Sequence, residues 1–259
     1  MQGSAYRRRW GSCALTLLAL ALALAGPAGP ALAGLVVTEG QGETLSYTYI
    51  QANRLRYENS GQTTIFDLNQ GTMILLQPAR KRYWTGTPEE FARQVKSTVD
   101  AQLDDELKAL PAEERQAFKD DARRPAREAP AKIQVKVERT AQVDTLAGHP
   151  ARKHQIFVEG QLLEEVWIAA DLDLSKELDP DKYAQLLLQT RSDDYSDWEF
   201  DPQVRALRTK GLEMKSVRMA VTGPEESAAV QKVEKRQLPD STFQVPVGYQ
   251  KATMAQILE

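Results

Sequence analysis

Two histidines, His149 and His154, are the whole imidazole supply of the 259-residue chain, so a metal centre or a hydrolytic triad would have to be built on them. They stand five apart across Pro150. A helical metal pair needs a spacing of four and one face of a strand a spacing of two, so neither element brings both rings to one ion. The ordinary reading is one histidine in a surface turn and one in a strand. Asp171, Asp173 and Ser175 imitate the start of a calcium loop, but its sixth position is Lys176 instead of glycine and its twelfth is Lys182 instead of glutamate. The acidic run Asp193, Asp194, Asp197, Glu199 and Asp201, interleaved with Tyr195, Trp198 and Phe200, could attract a divalent ion but reads first as a solvated loop pinned by aromatics. Gly40-Gln41-Gly42 lacks the third glycine of a dinucleotide loop and opens no helix. No nucleophile elbow accompanies the serines. The titratable residues therefore predict no catalytic set, no metal and no cofactor: a non-enzymatic protein.

The remaining chemistry is burial of an apolar ligand. Tyr47, Tyr49, Phe66, Met73, Leu75, Tyr83 and Trp167 sit on predicted strands, and Phe91, Val95 and Val99 on a predicted helix. Core packing is the ordinary reading of any one of them; as a set they are the predicted wall of a ligand cavity. An acyl chain gains ~0.8 kcal/mol per buried methylene, so ten methylenes give about 8 kcal/mol before the ordering costs of binding.

The elements that must position these residues begin after a leader. Arg7, Arg8 and Arg9 precede an apolar run over 13–25 and the small-residue end Ala31-Leu32-Ala33, which predicts a signal peptide over 1–33 cleaved before Gly34. The apolar run is about a dozen residues where a membrane span needs ~20. The general secretory route fits the strongly apolar run better than the twin-arginine route. Cys13, the one cysteine, precedes that run, so no lipid anchor is expected and the mature chain has no thiol. The remaining 226 residues, one predicted domain over 34–259, carry 30 basic and 36 acidic residues. That balance, with no basic stripe, excludes nucleic acid as the expected partner, and no second long apolar run predicts a membrane span.

From 35 to 84 short β-rich runs alternate apolar with polar residues between turn signals such as Asn59-Ser60-Gly61 and Asn69-Gln70-Gly71, the pattern of an antiparallel meander. Residues 73–76 depart from it, being apolar at four consecutive positions. Thr87, Pro88 and Glu90 supply a cap, a first-turn proline and a capping-box glutamate for a helix to about Leu110. Its apolar residues Phe91, Val95, Val99, Leu103 and Leu107 recur every four, so the stripe winds about 40° per step. A polar helix over 112–124 and a proline-containing linker over 123–131 follow. The β pattern then resumes with Ile133, Val135 and Val137, a hairpin about Glu159-Gly160, a helix capped by Asp179-Pro180, a strand over 214–221, and an extended end at 243–249 suited to a sheet edge by Pro246. This order predicts an α+β chain with one large antiparallel sheet.

Residues 47–84, with the "NRLRYE" strand and the close "QPARKRYW", resemble the exported bacterial family known as domain of unknown function 4412. So do "LAGHPARKHQIFVEGQLLEEVWIA" at 146–169 and "FQVPVGYQK" at 243–251. That family is in turn similar to the LolA and LolB outer-membrane lipoprotein carriers and receptors. The resemblance implies a strongly curved antiparallel sheet, an unclosed half-barrel, with helices across its concave face and a cavity for acyl chains. It implies no catalytic residues. The expectation is a soluble periplasmic carrier for a lipid, lipoprotein acyl chain or other apolar ligand, with helix 87–110 as its lid. The alternative is an envelope interaction or sensor domain that holds a protein partner and no small molecule.

Overall fold

Alternating strands and tight turns build hairpin upon hairpin from Leu35 onward in the computed structural model, which describes residues 34–41, 44–108, 111, 114, 133–190 and 197–258. The leader over 1–33, the helix and linker expected over 112–131 save Glu114, and Asp193, Asp194 and Tyr195 lie outside the described residues.

Six strands form the first meander: β1 (Leu35–Gln41), β2 (Thr44–Gln51), β3 (Arg54–Glu58), β4 (Thr63–Asp67), β5 (Thr72–Gln77) and β6 (Arg82–Gly86). Helix α1 (Pro88–Lys108) follows, its start closed by the expected capping box: Glu90 N–H donates to Thr87 Oγ1 at 3.2 Å and Thr87 N–H to Glu90 Oε2 at 3.0 Å. The second meander comprises β7 (Val135–Leu146), β8 (His149–Val158), β9 (Gln161–Ala169), β10 (Leu212–Ala220) and β11 (Gly223–Glu226). Between β9 and β10 lie α2 (Pro180–Gln189) and α3 (Pro202–Thr209). The β8–β9 turn has positive φ at both Glu159 and Gly160, the type I′ geometry that matches strand twist.

The two meanders do not merge into the single sheet expected. β1 to β6 belong to an eight-stranded sheet of order β12-β1-β2-β3-β4-β5-β6-β13, and the second meander makes a five-stranded sheet of order β11-β10-β9-β8-β7. Both are open, and the class is α+β. The chain crosses back because β12 (Ala229–Lys235) pairs antiparallel with β1, while β13 (Gln250–Lys251) pairs parallel with β6 at the opposite edge. A last short helix, α4 (Met254–Leu258), ends the described chain.

This return decides the sheet's second face. Residues 236–249 must cross seven strand spacings, about 34 Å, to join the two edges. They form a strap in which Leu238 and Phe243 are buried and Val245 and Tyr249 pack on Val36, Ile65, Ile74 and Leu76. Gln51 anchors its start, its Oε1 accepting from Leu238 N–H at 2.7 Å and its amide donating to Leu238 carbonyl at 3.2 Å. Arg54 and Arg56 of the "NRLRYE" strand hold its middle, through Asp240 at 2.9 Å and the Thr242 carbonyl at 2.9 Å. The apolar run Met73 to Leu76 is thereby explained: Ile74 and Leu76 lie under the strap, Met73 and Leu75 on the other face among Trp84, Met254 and Ile257. The extended end at 243–249 is this strap; the edge pairing itself falls at Gln250 and Lys251.

Candidate functional site

Register sorts the ten predicted cavity residues onto different surfaces. Ile50, Leu55, Phe66 and Met73 pair across one row, and Thr48, Tyr57, Thr64, Leu75 and Trp84 across the next, so Phe66, Met73 and Leu75 share a face. Tyr47, Tyr49 and Tyr83 are offset by one residue and project from the opposite face, where Tyr49 and Tyr83 pack with the strap. Phe91 and Val95 of α1 join Met73, Leu75 and Trp84, but the space among them is occupied by Met254 and Ile257 of α4. Trp84 donates to Gln94 Oε1 at 3.0 Å. Val99 is 48% exposed. Trp167 belongs to the core between the two sheets, its indole N–H donating to Asp144 Oδ2 at 2.7 Å and its ring flanked by Lys153 and Lys215. The ten residues do not wall one cavity, and α1 lies over a packed core.

The open space lies elsewhere on the same sheet face. A cleft of about 530 Å³ is bounded by Glu39, Thr48, Ile50 and Leu55 of the eight-stranded sheet and by Leu212, Glu213 and Lys215 of β10. Pro180, Tyr183, Ala184 and Leu187 of α2 and Arg205, Arg208 and Thr209 of α3 complete it, with Leu174 and Leu178 at the approach to α2. Both helices arise from one local signal, aspartate followed by proline. Asp179 Oδ1 accepts from the N–H of Asp181 at 3.0 Å and Lys182 at 3.2 Å, and Asp201 Oδ1 accepts from Gln203 N–H at 2.8 Å. The approach to α2 is tied to the β2–β3 turn, where Asn53 N–H donates to Glu177 carbonyl at 2.7 Å and Asp179 N–H to Asn53 Oδ1 at 2.6 Å. Ala52 and Asn53 both have positive φ there, a conformation the tie supports.

The lining of the cleft combines apolar and charged side chains. Among the lining residues Arg208 bridges Glu164 at 2.7 Å and Glu213 at 3.0 Å, and Glu199 meets Arg218 at 2.6 Å. Trp198 lies beneath both guanidiniums, 5.9 Å from Arg208 and 5.5 Å from Arg218. Burial raises the pKa of Glu164, with Arg208 acting in the other direction, and burial followed by the charge of Glu213 raises that of Glu39.

The two histidines are kept apart. His149 and His154 point to opposite faces of β8; His149 Nδ1 is 2.7 Å from Asp171 Oδ2, and His154 Nδ1 is 3.1 Å from the Arg152 carbonyl. Burial lowers the His154 pKa, partly countered by that carbonyl. Asp173 caps a turn, its Oδ1 accepting from Ser175 N–H at 3.1 Å and from Ser175 hydroxyl at 2.6 Å. Gly40 lies within β1. Missed in the sequence were the cleft's helix α3 and its arginines, although Asp201-Pro202 repeats the signal of Asp179-Pro180.

Residues 35–249 match the family model described as a domain of unknown function, DUF4412, and the chain belongs to that family. No curated protein matches the chain. No helix among the described residues is long and apolar enough to cross a membrane.

Proposed function

We propose that this protein is an exported, non-enzymatic binding or carrier protein of the cell envelope that takes a single-chain apolar or amphipathic ligand, such as a lipid or lipoprotein acyl chain. Its seat would be the cleft beneath α2 and α3. The observation that carries the reading is the cleft itself. Its volume of about 530 Å³ falls within the ~300–1,000 Å³ of small-ligand sites, and Ile50, Leu55, Leu178, Tyr183, Leu187 and Leu212 supply a largely apolar wall. Leu187 is both a lining residue and 38% exposed, so the apolar wall reaches solvent and gives a tail a way in.

The narrower fold reading, a LolA-like half-barrel with helices over its concave face, belongs to the same proposal. It draws support from the open antiparallel sheet and from α1 and α4 packing on one of its faces. In that reading the roof over the ligand is α2 with α3, not α1.

Native mass spectrometry of the protein purified from its own envelope, before and after solvent extraction, tests the proposal. A bound lipid-sized mass that extraction removes is the expected result. Protein recovered ligand-free, and unable to take up an apolar fluorophore saturably, would overturn it; a stable protein partner crosslinked in cells would then favour the envelope-interaction alternative.

A further inference from the structure

The charged groups in and beside the cleft are unevenly paired. Glu164, Glu199 and Glu213 each lie within ion-pair distance of Arg208 or Arg218. Lys215 is 3.8 Å from Glu226 and 4.3 Å from the Trp167 ring centroid. Two lining groups stand outside this network, the Glu39 carboxyl and the Arg205 guanidinium. Arg205 projects from α3 three residues before Arg208, and its Nε is buried without a hydrogen-bond partner among the described residues.

A carboxyl and a guanidinium that lack an ion pair among the described residues are not equivalent where burial withdraws water. A carboxyl can escape the cost of burial by taking up a proton, and burial and Glu213 push Glu39 in that direction. A guanidinium has no such escape, because it stays protonated at any pH a protein tolerates. Among the described residues, Arg205 is therefore the lining group outside the network that stays charged. Arg205 shares the lining with Ile50, Leu55, Leu178 and Leu187, so an amphiphile seated there has an apolar wall for its tail and a cation for its head.

Building on the reading of the cleft as a ligand site, we propose that its ligand is a long-chain carboxylate, with the tail along Ile50, Leu55, Leu178 and Leu187 and the head paired with Arg205. A planar guanidinium matches a carboxylate with two parallel hydrogen bonds. A neutral head forms weaker bonds to the guanidinium, and a cationic head would meet only a carboxyl that is readily neutralised. The cleft also has to house the tail, which favours a head as small as a carboxylate over bulkier anionic groups.

Calorimetric titration of the full chain with hexadecanoate, hexadecanol and hexadecyltrimethylammonium, each kept below its aggregation threshold, tests the head against a constant tail. Hexadecanoate is expected to bind roughly 10- to 100-fold more tightly than hexadecanol, the range of a charge-assisted hydrogen-bond pair. In Arg205→Met that preference falls to about one, and Arg205→Lys keeps part of it, because a point charge replaces the fork. Equal binding of the alcohol, or tighter binding of the ammonium, overturns the carboxylate head while leaving the cleft reading intact. Failure of all three to bind removes the cleft reading and this inference together. The head preference of the unsubstituted protein decides the matter even where Arg205→Met does not fold.

Discussion

One face of the eight-stranded sheet carries two apolar regions, and they differ in what fills them. Under α1, the side chains of Met73, Leu75 and Trp84 meet Phe91, Val95, Met254 and Ile257 and leave a packed core. Under α2 and α3, Ile50 and Leu55 face Tyr183, Leu187 and Leu212 across a cleft of about 530 Å³. The same kind of strand surface thus ends as core or as pocket according to what the rest of the chain brings to it. The C-terminal helix occupies the first region. At the second, α3 packs Val204 and Leu207 on the five-stranded sheet and lines the cleft with Arg205 and Arg208 in place of apolar side chains. A packed region gains stability from every side chain, whereas the cleft retains desolvation costs that a ligand could relieve.

The largest expected effect belongs to the packed region. Trp84→Ala removes a buried ring that contacts Phe91 and Met254's cluster, and should cost about 3–5 kcal/mol in urea unfolding. A loss below about 1 kcal/mol would mean that this region is no better packed than the cleft. A smaller effect of opposite sign is expected in the cleft from Glu39→Gln. Folding raises the Glu39 pKa through burial and the Glu213 charge, so the folded state binds the proton more tightly than the unfolded one. The stability this confers is present in acid and is lost as pH rises from the ordinary carboxyl range through the raised folded value. Glutamine loses nothing over that window. Denaturation midpoints of Glu39→Gln and the unsubstituted protein should coincide in acid and separate toward neutral pH, with the variant the more stable; a gain in acid that vanishes at neutral pH would refute the assignment. Least should happen at Val99, which is 48% exposed although it continues the stripe of Phe91 and Val95. Val99→Ser is expected to stay within about 0.5 kcal/mol of the unsubstituted protein, and a larger loss would extend the packed region along α1.

Local signals in the sequence carried much of the fold. The β1 to β6 meander, the capping box at Thr87 and Glu90, the Glu159-Gly160 hairpin and the Asp179-Pro180 helix are each specified by neighbouring residues, and each forms. The two-sided strand at Met73 to Leu76 likewise announced that both its faces would be covered. What was not legible depends on register and on chain return. As aromatic strand residues, Tyr49 and Phe66 are expected on one wall. Whether they share a face depends on the β2–β3 turn, whose two positive-φ residues are Ala52 and Asn53 and carry no glycine to advertise a two-residue hairpin. Nothing local in 229–235 shows that this strand leaves the second sheet to pair with β1, nor that the strap and α4 would then cover both faces of β5. The candidate cleft was missed for a related reason: its lining comes from five separated segments, and α3, which supplies its arginines, was hidden behind an acidic aromatic run read as loop.

Hydrogen–deuterium exchange of the full chain with and without hexadecanoate tests most directly which of the two regions receives a ligand. The cleft account predicts added protection in residues 174–189 and 202–212, with α1 and α4 unchanged. Protection confined to Pro88–Lys108 and Met254–Leu258 would contradict it, because the ligand would then have displaced α4 and entered the packed region under α1.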